Sequence, residues 1–463
     1  MVEIKKTVPK MGTKSEAGMK KLANRLKELE DQLVVCIRCG MCQSVCPLFE
    51  QTRREADVAR GKLALLDGLG KNLFTDPDGV DERLNKCLLC GSCAANCPSG
   101  VNVVEIFIKA RAILAEFKGL SPMKKLIFRK MLANPSTFDN LTEWAGKFQG
   151  IFTKDEKNAQ GTSCARLVAP LISPLINDRH ILPMAAKPLH KTTPMINTAP
   201  GRSGLKAAIF TGCIIDKIFP AIGHDLIDIF KYHGVGTYIP QGEGCCGIPA
   251  LASGDMATFE KLVEYHIKLF DQEQFDYLIT ACATCTSTIK KLWPSIYEGK
   301  SSGIREKIGR LSEKTLDINQ FLVNKVSFSN DTQGIKSENF NQNNVRKTRV
   351  TYHDPCHLKK SLGVISEPRD VIRASGKELV EMEGSDKCCG MGGSFNLYHY
   401  GISSKIGNLK QKNIADTGCD TVATGCPACM VQISDMLAKE HLDIKVRHPI
   451  QLYADFLREQ KLI

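Results

Sequence analysis

The stretch CIRCGMCQSVCP, residues 36–47, carries four cysteines, and CLLCGSCAANCP repeats the pattern 51 positions later, at residues 87–98. Both stretches read C-x2-C-x2-C-x3-C-P. The chain has 20 cysteines in 463 residues, about 4% of its length and too few for a small disulfide scaffold. Clustered C-x2-C spacing in a chain of this size favours metal binding over disulfides, so we expect a reducing compartment.

The repeated stretch is typical of a ferredoxin with two 4Fe–4S clusters. Three closely spaced cysteines wrap one cluster, and the fourth, before proline, serves the other cluster. Structural zinc is the alternative, but zinc sites use separated C-x2-C pairs with four ligands in all. The pattern therefore predicts a first cluster held by Cys36, Cys39, Cys42 and Cys97, and a second held by Cys87, Cys90, Cys93 and Cys46.

A second cysteine pattern is duplicated further along the chain. Three of its cysteines recur with an offset of 143 and two with an offset of 144, which indicates an internal duplication. Strands alternate with helices in both copies, so we predict two α/β modules with parallel sheets after a helical ferredoxin domain, an α+β and α/β fold. The cysteines follow predicted strands, where such sheets build sites. The two sets are Cys213, Cys245, Cys246, Cys282 and Cys285, and Cys356, Cys388, Cys389, Cys426 and Cys429.

Five cysteines exceed what a cubane cluster or tetrahedral zinc needs. The surplus predicts a larger or non-cubane cluster, or one cysteine kept free for chemistry. His353 and His357 flank Cys356; they either hydrogen-bond to the site or are ordinary buried histidines, and we assign neither as a ligand. Cys164 and Cys419 lie outside both patterns and are interpreted as inert thiols.

Composition along the chain predicts the domain boundaries. A predicted helix near the N-terminus has Leu22, Leu26, Leu29 and Leu33 on one face. Residues 101–150 are also predicted to be helical. The predicted segments are an N-terminal helical extension (1–30), the ferredoxin-type domain (31–150), a linker (151–204), the first cysteine-rich module (205–325), a polar linker (326–347) and the second cysteine-rich module (348–463).

The spacing C-x31-C-C-G-x34-C-x2-C at residues 213–285 resembles the "CCG" modules of heterodisulfide reductase and of iron–sulfur subunits of glycolate oxidase and D-lactate dehydrogenase. Three stretches are most similar to the 2-hydroxy-acid group: residues 36–65, CLLCGSCAANCPSGV at residues 87–101, and NDRHILPMAAKPL at residues 177–189. The resemblance extends over most of residues 30–460. In heterodisulfide reductase such a module binds a non-cubane 4Fe–4S cluster, so the resemblance implies one or two non-cubane clusters here, beside the two 4Fe–4S clusters of the ferredoxin domain.

The resemblance implies an oxidoreductase subunit that is inactive alone. It would pass electrons from a flavoprotein dehydrogenase subunit to a quinone, a membrane cytochrome or a soluble carrier. The sequence has no GxGxxG after a strand, and GMGGSF at residues 390–395 lacks the lysine of a phosphate-binding loop. A heterodisulfide-reductase-like subunit that reduces a disulfide is the alternative, and a non-redox scaffold with structural metal is a third hypothesis.

The formal net charge is +12, but no nucleic-acid-binding motif accompanies it, so we expect no nucleic-acid partner. Residues 1–18 lack the apolar core of a secretory signal, and no run of about 18 apolar residues predicts a membrane span. We expect a cytoplasmic protein, free or peripheral on the inner face of the cell membrane. The basic cluster at residues 124–130 suits a membrane surface, a partner or a solvated helix face.

Overall fold

The computed structural model describes residues 16–156, 158–165, 179–297, 302–326, 328 and 348–463. Most of the predicted polar linker and the first two residues of NDRHILPMAAKPL therefore lie outside the described residues, as does the start of the N-terminal extension. Among the residues that are described, no helix has the length and apolarity needed to cross a bilayer.

The N-terminal region is helical and contains the two cysteine-rich loops. Each loop turns sharply at a glycine in the left-handed region, Gly40 with φ +87° and Gly91 with φ +72°, where a side chain would be strained. Its helices span Glu16–Lys27, Glu30–Leu33, Met41–Ser44, Pro47–Thr52, Ala59–Gly70, Pro77–Asn85, Ser92–Ala95, Val103–Lys118, Pro122–Lys125, Leu126–Leu132 and Pro135–Phe152.

The leucine face of the N-terminal helix is buried, as its spacing predicts. Leu22, Leu26 and Leu29 are each at most 3% exposed and pack into the main hydrophobic core. Residues 101–150 are mostly helical, also as predicted.

The segment predicted as a linker contains regular structure that its polar composition did not indicate. Strands β1 (Thr153–Asp155), β2 (Ser163–Ala165) and β3 (His180–Ile181) form an antiparallel sheet in that order. A short helix, Leu189–Thr192, follows, and β4 (Ile196–Asn197) pairs with the edge of the next sheet.

Two parallel sheets with the same connectivity form the C-terminal half. The first has the order β4-β6-β5-β7-β8 and the second β10-β9-β11-β12. Without the antiparallel β4, the two orders match strand for strand, which confirms the predicted duplicated α/β fold. The strands are β5 (Lys206–Ile209), β6 (Gly236–Ile239), β7 (Tyr277–Thr280), β8 (Thr315–Asp317), β9 (Arg349–Tyr352), β10 (Glu378–Val380), β11 (Thr421–Ala423) and β12 (Lys445–Arg447).

Helices cover the two sheets and connect their parallel strands. Those around the first sheet are Gly212–Lys217, Pro220–His233, Ile248–Ala252, Met256–Phe270, Ala283–Ser287, Thr288–Leu292, Trp293–Ile296, Ser302–Lys314, Ile318–Phe321 and Leu322–Val326. Those around the second are His357–Leu362, Glu367–Ala374, Ser394–Tyr398, Tyr400–Ala415, Pro427–Lys439 and Pro449–Glu459.

A buried arginine and a half-buried lysine join the ferredoxin region to the two modules. Arg111, which is 4% exposed, donates to the carbonyl oxygens of Cys87 (2.8 Å) and Ala252 (2.7 Å). The Lys360 ammonium donates to Ser92 Oγ (2.7 Å) and to the Asp386 carbonyl oxygen (2.9 Å). Charge-assisted hydrogen bonds of this kind fix the cysteine loops relative to the modules.

Candidate metal centres

The first cysteine loop lines a cavity of about 380 Å³ of empty volume. Its wall includes Cys36, Cys39 and Cys42, and also Cys93 and Cys97 from the second loop. Cys39 is the exposed member of the set. The cavity therefore brings together the four cysteines predicted for the first cluster, with Cys97 contributed by the other repeat; the ligand assignment stays a prediction.

The second loop lines a neighbouring cavity. Cys46 from the first repeat joins Cys87, Cys90 and Cys93 in its wall. Burial raises the pKa of Cys46 to about 11 and raises the pKa of Cys93 well above its ordinary value. The exchange of fourth cysteines between the repeats is the arrangement that the spacing predicts for two ferredoxin clusters.

In the first module the five predicted cysteines lie at the carboxyl ends of β5, β6 and β7, and four of them are buried. The Cys245 thiol lies within hydrogen-bonding range of Cys213 and Cys246, and these contacts raise its pKa well above the ordinary value. Cys246 in turn contacts Cys285, which contacts Cys282. The five thiols thus form one continuous set.

The second module repeats this arrangement after β9, β10 and β11. The Sγ atoms of Cys389 and Cys429 lie 3.3 Å apart, and Cys429 also contacts Cys426. Contact with Cys389 raises the pKa of Cys388 to about 12. Cys356 is held close to this group, and burial raises the pKa of its thiol.

The two module sets meet at the interface between the modules. Cys282 of the first module contacts Cys426 of the second. Backbone hydrogen bonding supports the junction, because the Ala283 N–H donates to the Gly425 carbonyl oxygen at 3.0 Å. Thr284 Oγ1 also lies 3.4 Å from Cys426 Sγ.

A further contact joins the second module to the second ferredoxin loop. The Cys90 thiol contacts Cys388, and this contact together with burial raises the pKa of Cys90 well above its ordinary value. Leu88 and Phe395 pack around the pair in a separate apolar cluster. Thiol neighbours therefore run without a break from the second ferredoxin cavity through the second module to the first.

The two histidines beside Cys356 have different environments. His353 Nδ1 donates to the Ser385 carbonyl oxygen at 3.1 Å, while its Nε2 is buried without a hydrogen-bond partner. One ring nitrogen of His353 and the Sγ atoms of Cys389 and Cys429 lie within 4.8 Å of one another. His353 is therefore a further candidate contact for a group bound in the second module, which the sequence did not assign.

His357 lies at the junction between the modules instead. Its Nδ1 is 3.1 Å from Thr284 Oγ1, and burial lowers the pKa of the ring. The two cysteines outside the patterns line neither cavity and have no described contact with a module thiol. Cys419 is 3% exposed, and burial raises the pKa of Cys164.

The donor set fits iron–sulfur clusters. All 20 cysteines carry free thiols, and 18 of them line the two cavities or belong to the two module sets. Contact between the buried thiols raises the pKa of Cys245 and Cys429, whereas hydrogen bonds donated by neighbouring thiols lower the pKa of Cys246, Cys389 and Cys426. A cationic iron–sulfur core would stabilise the thiolate forms of these cysteines, and metal binding to such a site releases protons.

Sequence reasoning missed two polar groups beside the module sites, Ser92 and Lys410. Lys410 is 2% exposed, and its ammonium donates to the carbonyl oxygens of Gly384 (2.6 Å) and Ser385 (3.0 Å), close to the paired cysteines. No local pattern marks these residues. The glycine that follows the cysteine pair, Gly390, is the sequence signal that this loop turns tightly, and its φ of +94° agrees with it.

Known protein families match the ferredoxin region and the two cysteine-rich modules separately. Residues 32–101 match the 4Fe-4S dicluster domain, and residues 207–290 and 350–434 each match the cysteine-rich domain called CCG. The chain is an iron–sulfur protein. The matched domains indicate iron–sulfur clusters in both halves, and the predicted resemblance is confirmed.

Relatives of this iron–sulfur protein carry redox names. A fumarate reductase (CoM/CoB) subunit of Methanothermobacter marburgensis is 29% identical over 97% of this chain and 78% of its own length. The probable glycolate oxidase iron-sulfur subunit of Bacillus subtilis is 26% identical over 94% of this chain and 96% of its own. Lactate utilization protein A 2 of Bacillus cereus is 27% identical over 55% of this chain and its full length.

Two of these relatives are named as subunits, one of a reductase and one of an oxidase. A solved structure, of a putative Asp/Glu racemase from Yersinia pestis, covers 56% of this chain with a TM-score of 0.26 and 11% identity. That similarity is too low to support an argument.

Proposed function

We propose that this protein is the electron-transfer subunit of a flavin-dependent 2-hydroxy-acid dehydrogenase acting on D-lactate or glycolate. It would take electrons from a flavoprotein partner and deliver them to a quinone or another carrier. The names of the Bacillus relatives support this choice of substrate class. Oxidation of a 2-hydroxy acid releases two electrons, so a flavin on another chain is needed to divide the pair.

The proposal assigns the cysteines as ligands. The eight cysteines of the two ferredoxin cavities would hold two 4Fe–4S clusters, and the module sets one or two non-cubane clusters. Bound clusters would supply one-electron transfer. The chain itself supplies burial, since eight of the ten module cysteines are buried and water is excluded from them.

The unbroken run of thiol neighbours is the observation that carries the proposal. It starts in the second ferredoxin cavity, whose Cys93 also lines the first cavity beside the exposed Cys39, and it ends in the first module. Its two inter-domain steps are Cys90 to Cys388 and Cys426 to Cys282. A structural metal scaffold has no need for metal sites that adjoin one another across domain boundaries. A path for electrons does need such an arrangement.

The first cavity, which contains the exposed Cys39, lies beside exposed apolar side chains. Ile37 and Met41, which line this cavity, are 67% and 52% exposed, and Val34, two residues before Cys36, is 66% exposed. Exposed apolar patches of this kind mark protein interaction sites. We assign this patch, which we call the entry face, to the flavoprotein partner.

A matched pair of variants tests the entry face. Ile37→Glu with Met41→Glu should slow electron uptake from the flavoprotein by about tenfold or more, because two charges would be buried at the interface. Ile365→Glu, at a residue 44% exposed in the second module, is the control and should leave the rate unchanged. If the wild type, the double variant and the Ile365→Glu control take up electrons at equal rates, the entry face is not the docking site of the flavoprotein.

The division of labour gives an independent test. The isolated, flavin-free chain should not oxidise lactate or glycolate, and it should accept electrons once the flavoprotein and a 2-hydroxy acid are added. Cys39→Ser should remove or alter one of two cubane EPR signals of the reduced protein. Substantial oxidation of either acid by the chain alone would contradict the proposed division.

The second candidate function is reduction of a disulfide, which two observations favour. Both modules retain all five cysteines, and one relative is named for a CoM/CoB reductase. A disulfide would accept two electrons and two protons at a module site and leave as two thiols. Anaerobic mixing of the reduced protein with a disulfide discriminates: rapid reoxidation favours this function, and no reaction favours the carrier function.

A further inference from the structure

Helix Pro135–Phe152 turns its apolar side outward. Leu141, Trp144, Phe148 and Ile151 are 39%, 58%, 41% and 56% exposed. At about 100° per residue these four positions fall within an arc of about 80° on the helix surface. They form a continuous stripe, whereas an ordinary surface helix keeps such a stripe against the core.

The opposite side of this helix is polar and faces the body of the protein. Glu143 accepts a hydrogen bond from His190 Nε2 at 3.0 Å, and Asp139 pairs with the Lys217 ammonium at 2.5 Å. A Cβ on Gly146 would contact Met184 at 3.6 Å, so this side approaches the chain closely. Both acidic side chains of the helix therefore bind partners in the body of the protein, whereas the four apolar side chains of the stripe are exposed to solvent.

The preceding helical segment, Pro122–Leu132, has the same character. Phe128 and Leu132 are buried, while Met123, Leu126 and Ile127 are 60%, 58% and 38% exposed. The two segments pack on each other, so their exposed residues belong to one region of the surface. We call the outer sides of these two segments the apolar-basic face.

The charges on this face have one sign. Between residues 121 and 151 the exposed charged residues are Lys125, Arg129, Lys130 and Lys147. Arg129 is paired with Asp255, and Lys125 lines a cavity that also contains Glu28, Glu116 and Glu260. Lys130 and Lys147 therefore supply the outward-facing charge. The two acids in this range are Asp139 and Glu143, which point inward.

We propose that the apolar-basic face docks on an anionic membrane surface. Leucine, tryptophan, phenylalanine and isoleucine side chains insert into the boundary between headgroups and acyl chains, and lysines beside them bind anionic headgroups. Tryptophan suits that boundary because its ring is apolar and its N–H is polar. A protein partner fits less well, since lysine is depleted at the centre of protein interfaces.

Docking would bring the thiol path close to the bilayer. The Lys124 ammonium lies 5.4 Å from the centre of the Tyr398 ring. Tyr398 ends the short helix Ser394–Tyr398, whose Phe395 packs with the Cys90 and Cys388 pair. The docking itself does not depend on the proposed electron-transfer function, because it rests on the composition of the face alone.

Vesicle binding by the full, anaerobically purified protein tests the proposal. The probes are vesicles of phosphatidylcholine alone and of phosphatidylcholine mixed with phosphatidylglycerol, separated by sedimentation. We expect binding to the mixed vesicles that weakens with salt. Trp144→Ser with Phe148→Ser should weaken it by at least about tenfold. The double variant Lys130→Glu with Lys147→Glu should abolish the preference for phosphatidylglycerol.

Leu73→Ser is the matched control, at an apolar residue 75% exposed outside the face, and should bind like the wild type. Iron content and thermal unfolding verify that each variant is folded. Tryptophan emission gives a second readout, because Trp293 is fully buried and a blue shift on binding therefore reports Trp144.

Wild-type protein that stays in solution with both vesicle types would overturn the proposal. So would equal binding by the wild type and the Trp144 and Phe148 variant. Self-association that this variant abolishes, without vesicle binding, would assign the face to a second copy of the chain instead. A soluble protein that covers the face and excludes vesicles would equally overturn it.

Discussion

The two cysteine-rich modules share strand order and cysteine placement, but different groups surround their thiols. In the first module His266 Nε2 accepts a hydrogen bond from the Gly244 N–H at 3.1 Å, just before the paired cysteines. In the second, Lys410 lies 144 positions further along and donates to the Gly384 and Ser385 carbonyl oxygens, also before the pair. The same loop is held by a ring in one copy and by an ammonium in the other.

The charge of these two groups differs at neutral pH. Burial lowers the pKa of His266 to about 4, so the ring is neutral. Burial lowers the pKa of Lys410 only to about 8, so the ammonium is mostly charged, and Cys389 and Cys388 are the nearest anionic groups when ionised. The duplicated fold thus repeats the ligand positions but not the electrostatics around them.

The contacts of the modules with the first domain differ too. Cys388 of the second module contacts Cys90, whereas its counterpart Cys245 contacts Cys213 of its own module. Phe210 occupies the position in the first module that corresponds to His353, 143 residues earlier. The second module set therefore contacts a ferredoxin thiol, and the proposed electron path would enter the modules there.

The largest expected effect comes from removing one of the paired cysteines in either module. Cys246→Ala and Cys389→Ala should each lose iron beyond the about eight atoms of two 4Fe–4S clusters, while both cubane EPR signals remain. The reason is that each of these thiols contacts two others of its set. Cys419→Ala, at a buried cysteine outside the sets, is the control and should lose no iron.

Unequal iron loss would sharpen the comparison, because it would show which module holds a cluster. If the wild type carries only about eight irons and neither variant loses any, the modules hold another metal or none, and the path ends at the ferredoxin domain.

A smaller effect should follow from loosening the contact between the ferredoxin domain and the second module. Lys360→Met removes the donor that joins Ser92 to Asp386, and we expect electron transfer into the modules to slow by about tenfold as the Cys90 and Cys388 loops separate. Rapid-freeze EPR after reduction by the flavoprotein measures it. Lys359→Met leaves the contact between Lys360 and Ser92 in place and serves as the control. Identical rates of electron transfer in the two variants would contradict the proposal that electrons enter the second module from Cys90.

The smallest expected effect is a change in reduction potential. Lys410→Met removes a buried positive charge and should lower the midpoint potential of the second module's centre. The shift should be on the order of 50–100 mV for a separation of roughly 8 Å and an effective dielectric constant of about 20. His266→Gln removes no charge and should shift the first module's centre much less. Equal shifts in an EPR-monitored titration would show that charge is not what distinguishes the modules.

Local sequence patterns were enough to predict the helical N-terminal region and the duplicated parallel sheets. Cysteine spacing also predicted which thiols share a cavity, because three of each set lie within one short loop. The contacts of Cys90 with Cys388 and of Cys282 with Cys426 join residues far apart in the chain, and spacing carries no information about them. The domain boundaries remain predictions.

The sheet β1-β2-β3 was not predicted, because its strands have only two or three residues each and cannot show an alternating pattern. The helix at residues 135–152 was predicted, but not its orientation. Leu141 and Trp144 have helical spacing whether they face a core or solvent, so only the structure shows that this side points outward.

The most direct test of the account is the metal content of the wild-type protein purified without oxygen. Iron and acid-labile sulfide are counted, and EPR spectra are recorded after reduction by the flavoprotein partner with a 2-hydroxy acid. The account predicts more than about eight irons per chain, two cubane signals and at least one further signal from the modules. Zinc in place of iron, or iron–sulfur signals that the partner cannot reduce, would contradict it.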